Sequence, residues 1–243
     1  MTPRDDFAES GLILVDKPTE WTSHDVVNFI RRRFAISKVG HCGTLDPIAT
    51  GLLVIMLGRA TKLSARLLTQ DKVYSGTLCL GIETQTQDRA GEVTATAAVE
   101  GVTEADIRRV AARFTGDILQ VPPMVSALKV DGKRLYKLAR SGQDIEREAR
   151  PIHIYQLDID AVEIPMVRFT VRCSKGTYVR TLCADIGRDL GCGGHMYDLR
   201  RLRSGAFSID DAVTIDTLKT WDRAAFLAHM TPLASVVVGL MKG

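Results

Sequence analysis

The chain has 243 residues, 45% of them hydrophobic and 25% charged, with 20 Gly and 8 Pro. That usage excludes a disordered chain, a collagen-like fibre and a coiled-coil rod, and a chain this long can fold without a disulfide or metal staple. The net charge of +3 names no partner by itself, but it gathers in three basic clusters. These are Arg31–Arg33, the Lys129/Lys133/Arg134/Lys137/Arg140 series and Arg200/Arg201/Arg203; each reads as a solvated face, or all three together as contacts for a polyanion.

In chain order, Gly11–Lys17 is a short apolar run that predicts a buried strand. Ser23 is the expected N-cap of a helix whose apolar face is Val26, Val27, Ile30 and Phe34. The stretch VGHCGTLDPIATG (39–51) is too broken by glycine for a helix and a poor regular strand. Leu52–Leu57 predicts a strand buried on both faces, and Thr61–Leu68 a helix. Further strands are expected at Val73–Gly81, 152–163 and Met166–Ser174, the last with Val167, Phe169, Val171 and Cys173 on one face. Between them lies a helix opened by a Thr103/Asp106 capping box, with an Ile107/Val110/Ala111/Phe114 stripe. Another helix is expected over Tyr178–Leu190, closed by Gly191. Strands and helices mix without strict alternation, which predicts an α+β fold with a mixed, mainly antiparallel sheet flanked by helices. Pro122–Arg150 reads as a long charged excursion with one short helical pattern at Arg134–Arg140. The residues beyond 210 are too few for an independent domain.

The apolar runs Leu52–Leu57 and Leu233–Met241 are far shorter than the ~20 residues that span a bilayer. Asp5, Asp6 and Glu9 give the N-terminus the wrong sign for a signal or transit peptide. Five cysteines without a Cys-x-x-Cys pair suggest neither a disulfide framework nor a zinc site, so a reduced, cytoplasmic chain without membrane contact is expected. His41 and Cys42 have no further ligands at metal-binding spacing, and Walker, dinucleotide and nucleophile-elbow motifs are missing from the sequence. Neither metal nor cofactor is expected.

Asp46 stands in Thr-Leu-Asp-Pro between Gly40, Gly43 and Gly51. On residue types alone it is either a turn-capping carboxylate or a reactive group on a loop that a substrate can approach closely. The surrounding GHCGTLDPIATGLL (40–53) resembles the catalytic motif of the TruB-type pseudouridine synthases, which act on uridine 55 in the T-loop of tRNA. Seven more segments resemble the same family in the same order, from DKPTEWTS (16–23) through GRATKL, KVYSG, GIETQTQDRAG, VPPMVSALKVDGKRLYKLAR and CSKGTYVRTLCADIG to DLRRLRSGAF (198–207).

The resemblance implies the pseudouridine-synthase fold and an isomerase that cleaves the glycosidic bond, rotates the base and joins C1′ to C5 without a cofactor. It implies Asp46 as nucleophile at C1′ or base at C2′, Arg180 as its counter-charge, and Tyr74 stacked on the target base. It likewise implies that Leu199 packs against the base, that His41 takes part in turning it out, and that Lys17 supports the catalytic loop. Lys129, Lys133 and Arg134 in a thumb-like segment (122–150), with Arg200 and Arg201, would meet the phosphates of the T-arm stem-loop. A catalytic part over 1–210 and a short extension over 211–243 are expected, because the sequence ends about where a PUA-type RNA-binding domain begins in many bacterial members. No obligate protein partner is implied and a monomer is expected; a non-catalytic RNA-binding protein on the same fold is the alternative.

Overall fold

A computed structural model describes residues 9–124, 126, 129–130, 133–134 and 145–241. They fold as two compact units, one from residues 1–73 with 200–243 and one from 74–199.

In the first unit, β1 (Gly11–Lys17) pairs antiparallel along its whole length with β3 (Thr50–Leu57). The adjoining strand β2 (Val39–Cys42) pairs with the far end of β3, from Val39 opposite Leu57 to Cys42 opposite Val54. Glycines therefore do not stop this part of the 39–51 stretch from forming a strand, because β3 offers a free edge for it. The uninterrupted apolar run of β3 is explained by two cores. Leu53, Ile55 and Leu57 pack with Ile13 and Val15 on one face. Leu52, Val54 and Met56 pack with Leu12 and Cys42 on the other. Each fully buried aliphatic side chain here contributes roughly 1.5–3 kcal/mol.

Helix α1 (Ser23–Arg33) lays Val26, Val27 and Ile30 on the first of these cores. Its N-cap is Thr22 rather than Ser23, in a capping box with Asp25. Ser23 is released from that task, and its hydroxyl bonds both backbone groups of Leu45. The helix expected at Thr61–Leu68 is a 3-10 turn (Gly58–Leu63) followed by the short α2 (Ser64–Leu68).

The second unit has the strand order β12-β4-β11-β10-β7. Here β4 is Lys72–Leu80, β7 is Gly116–Gln120, β10 is Arg150–Glu163, β11 is Met166–Cys173 and β12 is Gly194–Ser204; β4 and β12 each belong partly to either unit. Val167, Phe169, Val171 and Cys173 are all buried, as their alternation predicts. Among the described residues of this unit there are two helices. Helix α3 (Glu104–Ala112) starts at the expected Thr103/Asp106 box, and α4 (Val179–Asp189) carries Arg180. A hairpin, β5 (Ile82–Thr84) with β6 (Val93–Thr96), was not legible as strands.

Residues beyond 210 return to the first unit. Val213–Thr214 pairs parallel with β1, and Ile215, Leu218 and Phe226 complete the core under α1. Within 122–150, Lys129–Val130 and Lys133–Arg134 pair as a two-stranded ribbon. The helical pattern expected up to Arg140 lies outside the described residues from 135 onward.

Candidate active site

The loop between β2 and β3 carries Asp46, which is half-buried. It opens a tight turn in which its carbonyl accepts from Ala49 N–H at 3.0 Å. The residues on either side are fixed by side chains from elsewhere in the unit. Before it, Ser23 Oγ accepts from Leu45 N–H at 2.8 Å and donates to the Leu45 carbonyl at 3.2 Å. After it, Lys17 Nζ donates to the Pro47 carbonyl at 3.3 Å, and also to Pro18 and Trp21 at 2.9 and 2.6 Å. The side chain of Lys17 is thus fully committed, which suits a residue 0% exposed. Burial, opposed by Asp46 and Asp25 and assisted by Arg201, pulls its pKa from 10.5 down to about 8, leaving it charged at neutral pH.

Arg201 holds the outer ends of the same loop. Nε donates to the Leu52 carbonyl at 2.7 Å and Nη2 to the Gly43 carbonyl at 3.0 Å. It is 1% exposed. A guanidinium so enclosed is placed to brace the Asp46 loop and not to meet a phosphate in solvent, contrary to the expectation from sequence. Arg200 alternates to the other side of β12, where it forms a two-pronged pair with Asp16 at 2.7 and 2.9 Å and remains partly exposed. Gly51 makes this approach of strands possible: with φ +98° it faces Arg201, whose carbonyl would lie 2.4 Å from an added Cβ.

His41 lies on β2, half-buried, with Nδ1 enclosed and lacking a hydrogen-bond partner among the described residues. Burial first, then the charges of Arg201 and His24, lowers its pKa, so the ring is neutral at pH 7.

In the second unit Tyr74 and Leu199 are buried residues of β4 and β12. Between them in sequence, Gly76 lets these strands approach: an added Cβ would sit 2.9 Å from Phe169 and 3.1 Å from Leu199 Cδ1. Arg180 occupies the first turn of α4, where the helix dipole opposes a cation. A buried carboxylate offsets this, with Asp88 Oδ2 3.7 Å from Arg180 Nη1. Asp88 is itself aimed by Thr86 Oγ1 and Ala90 N–H, both donating to Oδ1. Sequence reasoning passed over Asp88 in this role. Its place in Thr-Gln-Asp-Arg-Ala-Gly, a loop motif with a self-bonding Asp, was the available signal. Lys129, Lys133 and Arg134 lie on the two-stranded ribbon, and their side chains are outside the described residues.

The Asp46 loop is thus braced by Ser23, Lys17 and Arg201 together, and comparisons of sequence and fold place the chain among known proteins. Residues 31–179 match the model of the TruB family pseudouridylate synthase N-terminal domain, and residues 180–238 that of the tRNA pseudouridylate synthase B C-terminal domain. A tRNA pseudouridine synthase B of Aromatoleum aromaticum is 50% identical over 227 residues, covering 93% of this chain and 73% of that protein. One from Opitutus terrae is 49% identical, covering 86% of this chain and 87% of that protein.

Among solved structures, a chain of a Cbf5–Nop10–Gar1 complex superposes with a TM-score of 0.72 at 31% identity, covering 95% of this chain and 62% of that one. A chain of an H/ACA ribonucleoprotein bound to a substrate RNA containing 2′-deoxyuridine gives 0.69 at 28% identity, covering 93% and 60%. The present chain spans about three fifths of the length of each. The chain belongs to the TruB family of pseudouridylate synthases, and its fold is the α+β fold of that class. No helix among the described residues is long and apolar enough to cross a membrane.

Proposed function

We propose that this chain converts uridine 55 in the T-loop of cytoplasmic tRNA to pseudouridine. The observation that carries the reading is the Asp46 loop, whose carboxylate is presented on a backbone held by Ser23, Lys17 and Arg201 together. Such prior fixing is what a reaction at a ribose carbon needs, since the reacting group then requires no reordering as the glycosidic bond weakens. Asp46 acts at the ribose, as nucleophile at C1′ or as base at C2′. Tyr74 stacks on the uracil and helps remove the C5 proton, and Leu199 packs against the base. Arg180 is the counter-charge that keeps the Asp46 carboxylate ionised. His41 helps turn the base out of the T-loop. Lys129, Lys133, Arg134 and Arg200 serve the phosphates of the T-arm stem-loop, whereas Arg201 acts through the loop.

The test is tritium release from a T-arm stem-loop carrying uridine tritiated at C5, with wild type and Asp46→Asn side by side. Release by wild type and none by the variant is expected. Stem-loop binding without release would instead make the chain an RNA-binding protein on this fold. Free uracil with tritium retained would make it a hydrolase.

A further inference from the structure

Gln120 ends β7 and is 3% exposed. Its backbone faces Arg150, the first residue of β10, so the span 121–149 leaves and rejoins the sheet at this one pair. Its side chain reaches instead to the start of α4. Oε1 accepts from Tyr178 N–H at 2.8 Å, and Nε2 donates to the Tyr178 carbonyl at 3.1 Å. The amide therefore pairs with one residue's backbone as a neighbouring strand would.

Tyr178 is the N-cap of α4 and makes no side-chain cap of its own. Its carbonyl already accepts from Leu182 N–H at 3.0 Å, so Gln120 takes the second lone pair. Helix starts are ordinarily fixed by Ser, Thr, Asp or Asn at this position; here the fixing comes from another strand. Two residues on, Arg180 sits in a turn whose dipole opposes it, its guanidinium 5.9 Å from the Tyr178 ring and paired with Asp88. Beside it, Thr181 Oγ1 donates to Gln87 Oε1 at 2.7 Å. The first turn of α4 is thus gripped on both flanks by glutamine side chains.

We propose that Gln120 is a positioning residue for Arg180, setting the cap of α4 and thereby the place of the guanidinium, at the point where the excursion 121–149 joins the sheet. This rests on the role given to Arg180 under the proposed function. Only glutamine fits: asparagine is one methylene short, and an ionised glutamate has no donor for the Tyr178 carbonyl.

Three variants test it. Gln120→Met keeps the length and removes both bonds. Its single-turnover rate on the T-arm stem-loop is expected to fall about 100-fold, the loss typical of a displaced positioning group, with the Kd for the stem-loop unchanged. Amide hydrogen exchange over residues 178–182 is expected to quicken. Combining it with Arg180→Ala is expected to slow the reaction no further than Arg180→Ala alone. Gln120→Glu covers the case in which the Met variant does not fold. Its ionised carboxylate repels the Tyr178 carbonyl, but when protonated it regains a donor, so its rate relative to wild type is expected to recover as pH falls.

A wild-type rate with unchanged exchange in Gln120→Met overturns the proposal. So does a further slowing in the combined variant, or a Glu variant whose relative rate ignores pH. Quickened exchange in a chain whose wild type releases no tritium leaves the clamp standing and removes the function it was assigned to serve.

Discussion

Replacing Lys17 with Met probes how the Asp46 loop is held. The ammonium is 0% exposed and is satisfied by the carbonyls of Pro18, Trp21 and Pro47. Its pKa in the folded chain, about 8, lies below the ordinary 10.5. Between those values the unfolded chain binds more protons than the folded one, so stability rises with pH across the window. Each pH unit there is worth at most about 1.36 kcal/mol, and the whole window about 3 kcal/mol. Below the window the buried charge carries its full desolvation penalty, and above it neither state carries the charge.

Lys17→Met removes the titrating group together with its hydrogen bonds. The variant has its own fixed loss of stability, which does not depend on pH. The stability of wild type minus that of the variant is therefore expected to grow by about 3 kcal/mol from the bottom of the window to the top. The Cys42 thiol, which burial pushes up to about 11, titrates nearby with the opposite sign, but it is present in both proteins and cancels. Urea unfolding at several pH values across the window supplies the measurement. A difference that stays flat would refute the reasoning, because Lys17 would then titrate alike in both states.

Arg201→Met breaks two charge-assisted bonds to buried carbonyls. It is expected to destabilise the chain by about 2–4 kcal/mol after the relief of a buried charge is counted, and to lower kcat; thermal unfolding and the tritium assay check both. Gly51→Ala puts a Cβ 2.4 Å from the Arg201 carbonyl at a φ of +98°. Backbone meets backbone there, so a loss of about 3 kcal/mol or more in urea unfolding is expected. Thr22→Ala and Ser23→Ala form a contrasting pair. Each is expected to cost about 1–2 kcal/mol, but only Ser23→Ala, which frees the Leu45 backbone beside Asp46, is expected to slow the reaction at saturating stem-loop.

Local pattern and tertiary contact divided the information in this chain between them. Period and punctuation were enough for β1, β3, β11 and the Thr103/Asp106 start of α3, since each depends on neighbours within a turn or on one alternating face. The motif around Asp46 was equally legible, because glycine, Asp-Pro and the flanking apolar run stand together in sequence. The N-cap of α1 was misplaced by one residue: Thr22 and Ser23 both suit a cap, and only the arrival of Leu45 shows which hydroxyl is needed elsewhere. Strand β2 depended on the free edge of β3.

The arginines of β12 mark the limit most clearly. Arg200 and Arg201 look alike in sequence, yet one is a partly exposed partner of Asp16 and the other an interior brace on Gly43 and Leu52. A strand sends adjacent side chains to opposite faces. Which face is solvent and which is a cage of carbonyls from a loop some 150 positions away in the chain is decided only when β12 meets β3.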